Sequence, residues 1–101
     1  MSKITTNIAG KTITISISGK FNSLLHTEFY KEFKSHPNDH LFIIDLKDCD
    51  YIDSSGLGLL TSLSHYVGGN KKAIIKNAKG MVKDVIKMMQ FDKMFNLENF
   101  E

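Results

Sequence analysis

Residues 48–60, DCDYIDSSGLGLL, place three acids, a cysteine, two adjacent serines and two glycines in one short stretch. Four of the chain's 11 acids lie between Asp45 and Asp53, a density that first suggests a cation site. The spacing rejects an EF-hand loop: with Asp48 in the first position, Asp53 stands where glycine is needed and Leu59 where the bidentate glutamate belongs. A looser magnesium site using Asp50 and Asp53 is the remaining metal reading and is not favoured, so neither metal nor cofactor is expected. Nucleophilic catalysis would ask Ser54 or Ser55 to be activated by His26, His36, His40 or His65. GxSxG is missing, no oxyanion loop is recognisable, and the histidines read as scattered surface residues. GLG is not followed by Lys-Ser or Lys-Thr, which excludes a phosphate-cradling loop.

Two roles are left for the stretch. Asp53, Ser54 or Ser55 can cap a helix by accepting from an otherwise unpaired amide. Capping does not explain Gly56 and Gly58, which fall in the first helical turn and each cost on the order of 1 kcal/mol relative to alanine. Glycines beside small hydroxyls lower the surface so that another backbone can approach, either the neighbouring strand or a partner protein. A phosphate on one serine would gain roughly 0.3–1 kcal/mol from the helix N-terminus at an exposed site. Asp50 and Asp53 would oppose it. In a docked interface an unpaired dianion must be desolvated, so such a mark acts as a charge switch.

The flanking sequence supplies the elements that must hold this turn. Ile4, Thr6 and Ile8 share a parity, Gly10-Lys11 breaks the chain, and Thr12 to Ser18 alternates with Ile13, Ile15 and Ile17 on one face. This predicts a hairpin with one buried face, ending at Gly19. Asn22 or Ser23 caps a first helix whose Leu25, Phe29 and Phe33 recur every four residues until Pro37. Leu41 to Leu46 reads as a strand covered on both faces at the sheet centre. A second helix begins near the serines, carries Leu59, Leu60, Leu63, Tyr66 and Val67 at helical spacing, and stops at Gly68-Gly69. Ala73 to Ile75 completes a strand, helix, strand unit that should cross over right-handed into a parallel pair. Met81, Val82, Val85, Ile86 and Met89 form the stripe of an amphipathic third helix, with the methionines as core filler. Met94 to Phe100 adds a short edge strand. The expected architecture is α/β: a mixed sheet of about four to five strands, opened by an antiparallel hairpin and continued by parallel crossovers, packed with about three helices. Such sheets place function at the carboxyl ends of their parallel strands, where residues 48–58 sit.

Composition narrows the setting. With 101 residues, 42% of them hydrophobic and 24% charged, the chain reads as a single domain over 1–101. The N-terminal MSKITTNIAGK lacks an apolar h-region and no apolar run approaches a membrane span, so a cytoplasmic protein is expected. Cys49 is the only cysteine and reads as a small apolar side chain. The net charge of +2 rests on 13 lysines and no arginine, six of them between Lys71 and Lys87. Base readout recruits arginine's planar fork, so a direct nucleic-acid partner is not expected.

The run LFIIDLKDCDYIDSSGLGLL resembles the core of STAS domains, specifically the bacterial anti-sigma-factor antagonists, in which an apolar strand, an acid-bearing loop and DSSGLG lead into a helix. The likeness extends through GKFN after the second strand and the amphipathic helix near VKDVIKMM. It implies that Ser54, directly after the aspartate, is the phosphoacceptor, with Ser55 the less favoured choice for the mark and the favoured helix cap. Asn22, Asp53, Ser54, Ser55, Gly56, Leu57 and Gly58 then form the partner-facing surface. It further implies a non-catalytic module that, unphosphorylated, sequesters an anti-sigma factor with a histidine-kinase-like ATPase fold. That factor releases a sigma factor or other regulator and acts as the serine kinase, and a metal-dependent serine phosphatase reverses the mark. Many relatives carry an acid where this chain has Asn22, and many continue into another helix beyond the position of Glu101, which leaves a face for weak self-association. An accessory STAS subunit of a transporter or larger signalling complex is the alternative within the fold. A small serine or metal-assisted hydrolase is the remote one.

Overall fold

The computed structural model describes residues 2–100, so Met1 and Glu101 of the expected 1–101 domain lie outside it. Isoleucine alternation does build a hairpin: β1 (Lys3–Ala9) and β2 (Thr12–Phe21) pair antiparallel, with Ile8 opposite Ile13 and Ile4 opposite Ile17. Gly10 turns the chain between them at φ 61°, a conformation that favours glycine. β2 does not end at Gly19. It runs on through Phe21, because Gly19, Lys20 and Phe21 stay paired with the next strand.

That strand, β3 (Leu41–Ile52), is twice the expected length. Its first half alternates, burying Phe42, Ile44 and Leu46 while Ile43 and Asp45 stay half-exposed. The expectation of a strand covered on both faces is therefore wrong. The reason lies in the topology: the five strands lie in the order β1-β2-β3-β4-β5, with β2 through β5 parallel. Here β4 is Ile74–Lys76 and β5 is Asn96–Glu98. Right-handed crossovers that all step the same way put every helix on one face and leave the other to polar side chains such as Thr14, Ser16 and Asp45.

The three helices are α1 (His26–Lys34), α2 (Ser54–Tyr66) and α3 (Gly80–Met88). Between them and the sheet lies one core that includes Ile13, Ile15, Phe29, Phe33, Leu60, Leu63 and Ile86, all fully buried. In α3 only Val82 and Ile86 are buried. Met81, Met88 and Met89 are 43%, 76% and 55% exposed, so they are not core filler: they lie outside the strip of helix surface that faces the sheet.

Candidate functional site

The acid-bearing segment is strand, not loop. Two register shifts between β2 and β3, after Ser16 and after Gly19, give β3 an extra residue each time. Bulges of this kind bend a strand and increase its twist. They also move the buried positions from every second residue to every third, so Cys49 and Ile52 join the core while Asp48 and Asp50 face solvent. Burial pushes the Cys49 thiol upward from its ordinary pKa, and its Sγ donates to the Tyr51 carbonyl at 3.3 Å. Lys20 lies over the Tyr51 ring, 5.8 Å from its centroid.

Phe21 and Ile52 pair at the shared end of the β2–β3 ladder. The residue after each is a helix cap. Asn22 Oδ1 accepts from the Leu24 amide at 3.0 Å and starts the short 3-10 turn Ser23–Leu25 that leads into α1. Asp53 Oδ1 accepts from the amides of Ser55 and Gly56 at 3.0 and 3.2 Å and starts α2. The favoured cap, Ser55, is therefore displaced: an extended aspartate one residue before the helix reaches both first-turn amides, whereas Ser55 is already helical. Capping by Asp53 leaves Ser54, the first residue of α2, exposed and without a structural assignment.

The two glycines separate. A Cβ on Gly56 would run into the Phe21 carbonyl oxygen and stand 2.9 Å from Ile52 Cγ1, so the close approach is to the neighbouring strand. Gly58 is exposed, and a Cβ there would meet nothing within 4 Å. Leu57 is half-buried against the core. Asn22, Asp53, Ser54, Ser55 and Gly58 thus gather at the carboxyl end of β2 and β3, with Gly56 beneath them seating the helix.

Sequence reasoning set His26 aside as one of the scattered surface histidines. It lines, with Ser23, Ser54, Ser55, Gly58 and Ser62, an open hollow of about 510 Å³ between α1 and α2. Its ring stacks on Tyr30, centroids 5.9 Å apart. The signal available was its place four residues after the Asn22 cap, beside the buried Leu25–Phe29–Phe33 row. What the sequence could not give was the register that sets the start of α1 beside the start of α2. The other histidines do not line this hollow: His36 packs edge-on to Phe42, His65 stands in the last turn of α2, and His40 lies 3.0 Å from Asp39 and holds that carboxyl below its ordinary pKa. Among the described residues no group of three or more His, Cys, Asp or Glu side chains is placed to hold a metal ion. No helix among them is long and apolar enough to cross a membrane.

Comparison with known proteins gives a consistent result. A family model described as the STAS domain matches residues 3–101. A STAS-domain containing protein of Pseudomonas aeruginosa strain UCBPP-PA14 is 29% identical over 92 residues, covering 87% of this chain and 89% of the relative. The crystal structure of an anti-sigma factor antagonist from Mycobacterium paratuberculosis superposes with a TM-score of 0.82 at 19% identity, over 97% of this chain and 86% of that one. The anti-sigma factor antagonist SpoIIAA in its unphosphorylated form superposes with a TM-score of 0.69 at 15% identity, over 96% and 86%. At these identities the structural likeness is one of fold.

Proposed function

The chain belongs to the STAS domain family, and from that premise we propose that it is an anti-sigma-factor antagonist switched by phosphorylation of Ser54. The observation that carries this reading is the division of labour at the start of α2. Asp53 holds the helix amides, so the neighbouring Ser54 hydroxyl is exposed and modifiable without loss of the cap. One of the similar folds, SpoIIAA, is an antagonist whose structure is that of its unphosphorylated form, which supports the same direction of thought.

In this reading the unmodified protein works in the cytoplasm as a binding module without catalysis of its own. It sequesters an anti-sigma factor with a histidine-kinase-like ATPase fold, and a sigma factor or other regulator is set free. The partner then transfers phosphate from ATP. The Ser54 Oγ–P bond forms, the bond from the γ-phosphorus to ADP breaks, and the hydroxyl proton passes to a base of the kinase. A metal-dependent serine phosphatase hydrolyses the ester back to serine and phosphate. The surface that docks includes Asn22, Asp53, Ser54, Ser55, Leu57 and Gly58, with Gly56 below setting the height of the helix.

A dianion held in that interface without a counter-charge costs several kcal/mol. A loss of about 4 kcal/mol lowers affinity about a thousandfold. The test is recovery of partners from the native cell extract with wild type, Ser54→Ala and Ser54→Asp. Ser54→Ala is expected to keep an ATPase-domain partner and lose the phosphate mark, and Ser54→Asp to lose the partner. Equal binding by Ser54→Asp and wild type sinks the switch. Mass spectrometry that finds the phosphate on Ser55 moves the residue assignment.

A further inference from the structure

A phosphate on Ser54 calls for a positive partner, and the chain, for all its 13 lysines, places none in the hollow beside that residue. It has no arginine. The first-turn amides of Ser55 and Gly56 are already bonded to the Asp53 carboxylate, whose own charge stands next to the modified residue. Lys20 is engaged over the Tyr51 ring. In the hollow beside Ser54, α2 contributes Ser55, Gly58, Leu59 and Ser62 and the 3-10 turn contributes Ser23, none of them ionisable. The remaining wall is His26. Within its own element Glu28 and Tyr30 are the nearest titratable neighbours in sequence, and Tyr30 meets the ring face to face at 15°. Such stacking engages the face of an imidazole and leaves its nitrogens, which lie on the ring edge, as donors. The hollow, at about 510 Å³, has ample room for a phosphoryl group beside that edge.

We propose that His26 is the counter-ion of phosphorylated Ser54, taking up a proton when the dianion arrives and reading the mark within the antagonist itself. The inference rests on Ser54 as the phosphoacceptor. A phosphoserine takes up its second proton in the range where imidazoles also titrate, so two such groups sharing one hollow would titrate as a coupled pair. Phosphorylation in mildly acidic conditions therefore adds less negative charge to the docking surface than the phosphate alone carries. The sign follows from the pairing: attraction raises the imidazole midpoint and lowers the phosphate one, so the ion pair is complete between the two, is lost as pH rises through the upper and weakens as the phosphate takes up its proton at the lower.

The experiment uses full-length protein with phosphoserine encoded genetically at position 54, which needs no kinase and no partner. Proton–carbon NMR follows the four imidazoles, and phosphorus NMR follows the phosphoserine, across a pH titration. In the phosphorylated protein the His26 midpoint is expected to rise by about one pH unit over the unmodified protein, with His36, His40 and His65 unmoved. The phosphoserine midpoint should rise in His26→Gln relative to the wild-type sequence and stay low in His26→Arg. An unchanged His26 midpoint, equal shifts in all four histidines, or a phosphorus curve indifferent to His26→Gln overturns the proposal. None of these results depends on partner binding, so a failure here and a failure of the antagonist reading are told apart.

Discussion

Gly56 and Gly58 stand two residues apart in one helix, yet a methyl group added to each would meet opposite surroundings. At Gly56 it collides with the carbonyl end of β2 and with Ile52, and at Gly58 it enters open space. The same division runs through the rest of the turn: half-buried Asp53 caps α2 and buried Gly56 seats it against the sheet, while Ser54 and Gly58 face outward. A sequence motif that reads as one unit is thus two interleaved sets, one that builds the helix start and seats it and one turned to solvent.

The inner set should show the larger effects on stability. Gly56→Ala is expected to destabilise by about 1–3 kcal/mol, because the clash is with backbone that must shift. Urea unfolding monitored by circular dichroism would measure it, and a neutral result would erase the contrast with Gly58. Asp53→Ala removes the cap and should cost about 0.5–2 kcal/mol in the same assay. Gly58→Ala is expected to gain up to about 1 kcal/mol, since alanine is the better helix former and nothing stands in its way. Any partner affinity lost by this stabilised variant would mark Gly58 as a contact position. Ser55→Ala should stay within about 0.5 kcal/mol, as expected of a side chain that does not cap the helix. A loss matching that of Asp53→Ala would return capping to Ser55.

Beneath both sets, Cys49 adds a pH signature. Its folded-state pKa is raised, so above the ordinary thiol value, about 8.5, the unfolded chain releases a proton that the native one keeps. Stability should accordingly fall as pH rises through that range, and Cys49→Ala should flatten the fall.

How much of this was legible in sequence depended on whether a local period governs the element. The hairpin and the register of Ile13, Ile15 and Ile17 followed from alternation, and α2 from its leucine spacing and the Gly68-Gly69 stop. The second half of β3 did not, because its two bulges replace a period of two by a period of three and disguise strand as loop. The methionines of α3 were misread because an apolar stripe says which side faces inward but not how wide a strip the sheet can cover. At the site, DSSGLG announced itself. The pairing of Phe21 with Ile52, which sets the Asn22 and Asp53 caps side by side and brings His26 to Ser54, is a property of parallel register between segments about thirty residues apart.

Capping by Asp53 also bears on how this protein can change over generations. Position 54 is exposed and does not hold the helix, so exchanges among serine, threonine, alanine or an acid there meet little resistance from stability, typically within about 0.5 kcal/mol. Position 56 is under the opposite filter. Under the proposed switch, a lineage could therefore acquire, silence or permanently mimic control at position 54 by a single codon change while the scaffold persists, which would make the turn a place where regulation evolves faster than fold.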